Sequence, residues 1–400
     1  MASEQKPTAN TDKSQSTLPV LLFLLVRFAL LVSLPLEGLR GYGDFVNYFN
    51  LAGLGRPFID IWVEYPPIFP FVSAVLHRLS GGRQHVFDYL LVLTLTLAQA
   101  GSLWLFLRLA RRLHGEVESN QRGWVYFATL VGLAYGWWYF DPLAVFAMLL
   151  SLHWLLEKRV FSAGVTLALG MLIKWFPGLA IVVAWRTLSL RQALWTTILA
   201  AGIVASVFAG LYLISPEFTT ASLRSQASKG SWETVWALID NNLTTGLFGP
   251  LSERQFPELA SRPVGNPPRI SLWATLPVFA GIGLYLYWRS RSAGTRRMDA
   301  LGEIAFLGLT WCSFLVWLPG YSPQWVLYLL PIILLVLPQP EALAASMVLI
   351  LVNLLEWPIL LSRGQFMGLW LTVPLRTGLL VLFGARFWLI VLKNASPKAN

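Results

Sequence analysis

Long apolar runs alternate with short polar or basic segments along the chain from Leu18 to the C-terminus. Runs of this kind approach the roughly 20 residues that a helix needs to cross the hydrocarbon core of a bilayer. Helices are predicted because a helix satisfies every backbone group within its own segment. The predicted segments are Leu18–Leu36, Pro66–Leu79, Phe87–Leu109, Trp124–Tyr139, Leu143–Leu156, Phe161–Trp175, Gly178–Trp185, Ala193–Ile214, Leu272–Trp288, Leu301–Leu318, Val326–Leu337, Ala342–Leu361 and Gly368–Leu392.

The composition agrees with this pattern. Of the 400 residues, 56% are hydrophobic and only 12% are charged, too few to cover the surface of a soluble domain. We therefore predict an all-α polytopic membrane protein with about 11–13 transmembrane helices. One membrane domain is expected at 18–392, between a disordered cytoplasmic N-terminus at 1–17 and a cytoplasmic tail at 393–400.

The net charge of +10 is concentrated in short linkers. Excess Lys and Arg mark cytoplasmic loops, so a nucleic-acid partner is not predicted. These linkers are Arg108–Arg122, Lys158, Arg186–Arg191 and Arg289–Arg297. The other ends of the helices then meet on the non-cytoplasmic face, together with outer loops at 37–65 and 215–271. Pro66–Leu79 is only about 20 Å long and is predicted not to be a simple crossing, since it would reverse the side of the next linker.

Three of the 20 acidic residues lie in the first outer loop, at Asp44, Asp60 and Glu64. Apolar residues at helical spacing, Phe45, Tyr48, Phe49 and Ala52, predict an amphipathic helix at the membrane interface in the same loop. Asp44 could be a general base or a metal ligand, or could cap this helix. Glu64 could contribute to the site or be a solvated loop acid. Asp60 has no motif support.

Two further charged residues lie at the ends of apolar runs. Asp141 precedes Pro142, which is the pattern of a helix N-cap, but it also falls on the same predicted face as Asp44. Lys174 could pair with a phosphate group or could snorkel to the interface beside Trp175. Aromatic residues in outer loops, such as Trp232 and Tyr321, could stack on a sugar or could belong to the aromatic belt at the membrane interface. The four histidines show no metal-binding spacing.

Several segments together resemble a known family. They are Asp44 with Tyr48, Tyr65-Pro66-Pro67, FDPLAVFAMLLSL (Phe140–Leu152), GVTLALGMLIKWFPGLAI (Gly164–Ile181), SWETVWALID (Ser231–Asp240) and YSPQWVLYLLP (Tyr321–Pro331). In this order they resemble the polyprenyl-phosphate-sugar-dependent glycosyltransferases of the GT-C fold, in particular glycosyltransferase family 87 and its alpha-mannosyltransferase-like neighbours. The resemblance runs with gaps from about Arg40 to Pro331.

The resemblance implies transfer of one sugar, mannose or another hexose, from a polyprenyl-phosphate carrier to a glycan, lipid or protein acceptor. Transfer would take place on the non-cytoplasmic face of the cell membrane, with inversion and with Asp44 as general base. It implies catalytic roles for Asp44 and Asp141. The implied donor- or acceptor-binding residues are Tyr48, Glu64, Tyr65, Lys174, Trp232, Tyr321, Ser322 and Gln324. A divalent metal near Asp44 and Glu64 is the one cofactor considered, although Tyr65 stands where metal-binding relatives have lysine.

Three other classes stay open at this point. A transporter or flippase of lipid-linked substrates would place ionisable residues near the middle of the membrane, whereas most acids here lie at span ends. Arg27 is the exception and is expected to face the bundle. A lipid-carrier glycan ligase would transfer a whole glycan, and a non-catalytic subunit would use Asp44 and Asp141 only as helix caps.

Overall fold

The computed structural model describes residues 17–246, 249–262, 265–292 and 299–395. The predictions for the N-terminus, for much of the linker 289–297 and for the end of the tail lie outside these residues. The helices are α1 (Thr17–Ser33), α2 (Leu36–Arg40), α3 (Phe45–Leu54), α4 (Ile68–Leu79), α5 (Gln84–Gly132), α6 (Tyr135–Trp138), α7 (Asp141–Leu156), α8 (Val160–Ile173), α9 (Ile181–Thr187), α10 (Leu190–Ile214), α11 (Pro216–Ala227), α12 (Val235–Asp240), α13 (Leu272–Ser292), α14 (Ala300–Trp317), α15 (Val326–Val336), α16 (Gln339–Leu354) and α17 (Leu369–Ala395).

Five helical segments of the described chain are long and apolar enough to cross a membrane. They are Gln84–Gly132, Leu190–Ile214, Ala300–Trp317, Gln339–Arg363 and Phe366–Asn394. Six shorter apolar helices accompany them. The prediction of an all-α polytopic membrane protein is confirmed. The interval 215–271 is not a plain loop, since α11 and α12 and two 3₁₀ turns lie within it.

The predicted basic linker between Arg108 and Gly123 is largely helical. Both sides of it are helical, and only Gly115 has a non-helical backbone (φ 75°). The chain reverses there, and this brings the ring centroids of Phe106 and Tyr126 to 4.5 Å from each other. Arg and Glu are good helix formers, so polar character alone did not end the helix, and glycine supplies the one break.

Basic side chains gather at one end of the bundle. Arg112 pairs with Glu157 at the end of α7, and Arg186 pairs with Glu303 near the start of α14, at 2.5 and 2.7 Å. Arg122 donates to the Leu337 carbonyl after α15, at 2.9 Å. The opposite ends of α7, α14 and α15 therefore point to the other end of the bundle, where the first outer loop lies.

Helix α4 stays at that other end. Ser73 in its middle donates to the Tyr48 carbonyl of α3, at 3.2 Å, and His77 near its end lies 4.7 Å from the Phe49 ring. The next helix, α5, begins beside the same loop, where its residue Asp88 pairs with Arg40 at 2.7 Å. These contacts fit the prediction that Pro66–Leu79 is not a simple crossing.

Arg27 faces the inside of the bundle, as its position within an apolar helix requires. It is 2% exposed, its guanidinium lies 4.2 Å from the Trp137 ring, and it donates to the Gln99 side chain at 2.6 Å. These partners satisfy a charge that would be costly against lipid.

Candidate active site

A cavity of about 810 Å³ opens at the end of the bundle opposite the basic side chains. Ligand sites in proteins commonly have volumes of about 300–1,000 Å³. Its walls come from the first outer loop, the start of α7, the segment after α8, the 226–246 region and the turn before α15. Segments that are far apart in the chain therefore meet around one space.

The Asp44 side chain faces this cavity from the first outer loop. Asp44 immediately precedes α3, but its carboxylate makes no hydrogen bond to the helix N-terminus, so it does not act as a side-chain cap. Instead the Tyr48 hydroxyl donates to Asp44 Oδ2 at 3.3 Å. The Asp44 backbone N–H donates to the Trp138 carbonyl at 3.1 Å and fixes the loop against α6. The carboxylate is thus held in place and left available to a ligand.

Gly43 allows the close approach of this loop to Trp138. A Cβ atom at Gly43 would lie 2.4 Å from the Trp138 carbonyl oxygen. We expect Gly43→Ala to displace Asp44 and to slow the reaction about 100-fold, since misplacement by about 1 Å has effects of that size. The check is turnover by purified protein, with Gly378→Ala as the matched control because a Cβ there meets open space. Equal activity of the two variants would show that the Gly43 contact does not position Asp44.

Asp141 and Lys174 form an ion pair in the cavity wall. Lys174 Nζ lies 2.6 Å from Asp141 Oδ1, and the two side chains are 12% and 1% exposed. Helix α7 begins at Asp141 itself, with Phe140 in the N-cap position, so the predicted N-cap at Asp141 was wrong by one residue. The Asp141 carboxylate is turned to the lysine rather than to the helix backbone.

The Lys174 ammonium is enclosed by aromatic rings rather than directed to bulk water. Its Nζ lies 5.1 Å from the ring centroid of Phe140, 5.2 Å from Phe176 and 5.4 Å from Trp325. Aromatic faces attract a cation at these distances. The alternative in which Lys174 snorkels to the interface does not describe this environment.

The charges around Asp44 change its acidity. Burial raises the pKa of the Asp44 carboxyl to about 6, and the nearby Asp141 acts in the same direction. The Tyr48 hydrogen bond, Lys174 and Lys229 oppose this rise. Burial also raises the pKa of the Tyr48 hydroxyl well above its usual value, so the phenol stays protonated and donates to Asp44. An aspartate with a pKa near 6 is ionised at neutral pH and is a much better proton acceptor than an ordinary one.

Glu64 lies between two cations. Its carboxylate oxygens lie 2.5 Å from Arg254 and 2.5 Å from Lys229, and Arg254 also stacks on Trp62 at 4.0 Å. In the part of the chain that the structure describes, no three His, Cys, Asp or Glu side chains form a group able to hold a metal. A carboxylate already neutralised by two cations is a poor metal ligand, so these residues do not fit the divalent ion considered near Asp44 and Glu64.

The 231–240 segment and the turn before α15 both line the cavity and are hydrogen-bonded to each other. The Trp232 backbone N–H donates to the Pro319 carbonyl at 3.2 Å, and the Tyr321 N–H donates back to the Trp232 carbonyl at 3.1 Å. The Trp232 indole also donates to Ser322 Oγ at 3.3 Å. A side chain at Gly320 would collide with the Trp232 ring. The 231–240 segment is thereby fixed to the turn that precedes α15.

The family model for glycosyltransferase family 87 matches residues 62–319, more than half of the chain. The chain belongs to glycosyltransferase family 87. No curated protein matches the chain at a significant level. The matched range includes Glu64, Asp141, Lys174 and Trp232, whereas Asp44 precedes it, so the position of Asp44 in this family 87 site depends on the geometry described above.

The structure brings most of the predicted site residues of this family 87 glycosyltransferase to one cavity. The lining includes Asp44, Tyr48, Glu64, Tyr65, Asp141, Lys174, Trp232, Ser322 and Gln324. Tyr321 lies behind this lining, where its hydroxyl donates to Asn353 at 2.9 Å and its ring stacks on Arg376 at 3.8 Å. Asp60 forms an exposed ion pair with Arg56, away from the cavity.

Sequence reasoning did not select three charged residues of the family 87 site. Lys229 and Glu233 line the cavity, and Arg254 supports Glu64. Charged residues are rare in this chain; Glu233 follows Trp232 in the segment Ser231–Asp240, and Lys229 lies two residues before that segment. Their proximity to Trp232 was the available signal. Nothing local in the sequence marks Arg254.

Proposed function

We propose that this family 87 glycosyltransferase transfers a single sugar, mannose or another hexose, from a polyprenyl-phosphate carrier to an acceptor hydroxyl, with inversion. The observation that carries the proposal is the arrangement of Asp44 beside the Asp141–Lys174 pair, which places a proton acceptor and a cation in one cavity. A donor with a polyprenyl tail accounts for an active site built on a membrane bundle, since such a substrate resides in the bilayer.

Asp44 would accept the proton of the acceptor hydroxyl while the acceptor oxygen forms its bond to the anomeric carbon. The bond between that carbon and the phosphate oxygen breaks in the same step, and its electron pair leaves with the polyprenyl phosphate. General-base assistance of this kind contributes roughly 10²–10⁴-fold. Tyr48 would orient the Asp44 carboxylate through its hydrogen bond.

The cations would stabilise the leaving group. The polyprenyl phosphate gains one negative charge as it departs, and Asp44 loses one as it takes the proton, so the total charge in the cavity is unchanged. Lys174 and Lys229 lie close enough to Asp44 to influence its ionisation. A fixed cation next to a developing phosphate charge lowers the barrier without reorganisation of solvent. Asp141 would act through Lys174 as a positioning residue.

The active site would lie on the non-cytoplasmic face, with the N-terminus in the cytoplasm. Arg112, Arg122 and Arg186 gather at the end of the bundle opposite the cavity, and excess basic residues mark the cytoplasmic side. The polyprenyl-linked donor then reaches the cavity from the outer leaflet. The acceptor would be a glycan, lipid or protein on that side.

Introduced cysteines provide the test of this orientation. Cys312 is the only cysteine of the chain and is buried, so wild type serves as an unlabelled background. A membrane-impermeant maleimide added to intact cells is expected to label Asp60→Cys at the cavity end and not Glu157→Cys at the basic end. Both wild-type side chains are about 40% exposed (40% and 44%), so accessibility is matched. Labelling of Glu157→Cys alone would reverse the orientation.

The activity should depend on pH through Asp44. Since the base must be ionised, kcat/KM should be half-maximal near pH 6, where the raised pKa of Asp44 lies, and should fall about tenfold per unit below it. The measurement is initial transfer rate between pH 4.5 and 8.5 with protein integrity checked at each pH. A rate that is level down to pH 4.5 would exclude Asp44 as the base.

The donor class is tested by presenting several donors to the purified protein. We expect label to pass to acceptor from polyprenyl-phosphate-mannose, or from the glucose or galactose equivalents, and not from nucleotide sugars. Transfer from a nucleotide sugar would overturn the donor assignment. Movement of the lipid-linked sugar across vesicles without any transfer would favour a flippase instead.

A further inference from the structure

A second group of charged side chains reaches the cavity wall through Glu233. It consists of Glu233, Glu356 and Arg376, which are 3%, 0% and 2% exposed. Arg376 donates to the Glu356 carboxylate and to the Glu233 backbone carbonyl. The two carboxyl groups are also hydrogen-bonded to each other. Three charged residues from three separate segments are therefore held together inside the protein.

The surrounding structure fixes Glu233 in this group. Its backbone has φ 51°, a left-handed conformation that a glutamate rarely adopts. The residues on either side are anchored to Pro319, through the Trp232 N–H at 3.2 Å and the Thr234 hydroxyl at 2.7 Å. Glu356 immediately precedes a break in the helix at Trp357, whose backbone is extended (φ −135°, ψ 123°).

The group is incompletely satisfied. Apart from the contact between the two carboxyl groups, Oε2 of Glu233 and Oε2 of Glu356 are buried and receive no hydrogen bond from the described residues. Buried polar atoms are nearly always paired, so a carboxyl oxygen whose one neighbour is a second carboxyl group, in a residue that lines a cavity, points to a ligand. The three side chains are more than nine-tenths buried, and Glu233 lines the wall of the proposed active site.

The charges indicate what kind of ligand fits. Arg376 already neutralises one carboxylate, and burial together with Glu356 raises the pKa of Glu233 well above its usual value. A carboxyl group that keeps its proton can both donate and accept a hydrogen bond. An anion would face two acidic groups. The fitting partner is a neutral hydroxyl.

We propose that Glu233, supported by Glu356 and Arg376, forms a subsite that hydrogen-bonds a hydroxyl group of a sugar ring in the cavity. The indole of Trp232 and that of Trp357 flank the two glutamates in the chain and also line the cavity, where they offer apolar faces to the ring. This subsite deepens the proposed function and rests on it. The sugar belongs either to the donor or to a glycan acceptor.

The test combines a protein variant with deoxy sugars. Wild type, Glu233→Leu and Glu233→Gln are assayed with donors lacking single hydroxyls and, separately, with acceptor glycosides lacking single hydroxyls. In wild type, removal of the contacted hydroxyl should lower kcat/KM about 10–100-fold. In Glu233→Leu, removal of the same hydroxyl should lower kcat/KM less than threefold, because the interaction is already absent. Glu233→Gln should keep most of the discrimination, since an amide also donates and accepts.

Comparison of the donor series with the acceptor series identifies which sugar carries the contacted hydroxyl. An effect confined to donor analogues assigns the subsite to the transferred sugar, and one confined to acceptor analogues assigns it to the acceptor. Wild-type discrimination that persists unchanged in Glu233→Leu overturns the proposal while leaving the glycosyltransferase assignment intact. Asp60→Asn, on the exposed ion pair, is the control and should behave as wild type.

A direct binding measurement separates the two proposals. Saturation-transfer NMR is recorded with methyl glycosides of mannose, glucose, galactose and arabinose on wild type, Glu233→Leu and Asp60→Asn. Contact signals that weaken at least threefold only in Glu233→Leu support the subsite even if no donor gives transfer. Equal signals from all three proteins, or no signal from wild type, contradict it. Thermal melting and the Glu233→Gln variant show whether Glu233→Leu retains the fold.

Discussion

Asp44→Asn is expected to transfer sugar about 10²–10⁴-fold more slowly than wild type, because asparagine cannot accept the acceptor's proton. The variant keeps the shape of the side chain, and its amide can still accept the Tyr48 hydrogen bond. The loss should appear in kcat rather than in KM, since proton transfer occurs in the transition state. Initial rates at saturating donor measure it. A variant within threefold of wild type would show that Asp44 is not the base.

The same variant should be more stable than wild type at neutral pH. The folded protein raises the pKa of Asp44 from 3.8 to about 6, so its ionised form is disfavoured in the fold. The stability penalty in wild type is fully present above pH 6 and disappears below about pH 4. The melting temperature of Asp44→Asn in detergent should exceed that of wild type at pH 8 and match it at pH 4. A lower melting temperature at pH 8 would mean that the activity loss reflects unfolding.

Lys174→Met is expected to lower both activity and stability. The change removes the cation that would face the donor phosphate, which should slow transfer about 100-fold or more. It also leaves the Asp141 carboxylate, 1% exposed, without its partner. Breaking a buried pair from one side destabilises by about 3–5 kcal/mol. Arg56→Met, in the exposed Arg56–Asp60 pair, is the matched control and should change neither quantity.

The double variant Asp141→Asn/Lys174→Met separates the two effects. Removal of both charges leaves no unpaired ion, so the melting temperature should recover most of the loss seen in Lys174→Met. Transfer should stay about 100-fold below wild type, because the cation is still missing. If activity recovered together with stability, Lys174 would be a structural residue only.

Part of this site could be predicted from the sequence because the chain has few charged residues. In a chain with 20 acidic residues, Asp44 and Asp141 stand out because each lies at the end of an apolar run. The distribution of basic linkers then placed both at the same end of the bundle. The structure agrees with that placement, and it adds the pairing of Asp141 with Lys174, which are 33 residues apart.

Other parts of the site depend on contacts that no local pattern encodes. Glu64 pairs with Arg254, which lies 190 residues further along the chain. Glu356 and Arg376 lie inside predicted membrane segments, where their apolar neighbours dominate the pattern. The reversal at Gly115 was hidden because the residues around it favour helix. Tertiary packing decides these features, and sequence periodicity reports only the local structure.

The stereochemistry of transfer tests the central claim most directly. The account requires one displacement at the anomeric carbon, with Asp44 as base and polyprenyl phosphate as leaving group. Purified protein is given a polyprenyl-phosphate hexose of known anomeric configuration, and NMR reads the configuration of the new linkage. The account predicts a glycoside of inverted configuration and free polyprenyl phosphate. A product with retained configuration would contradict it.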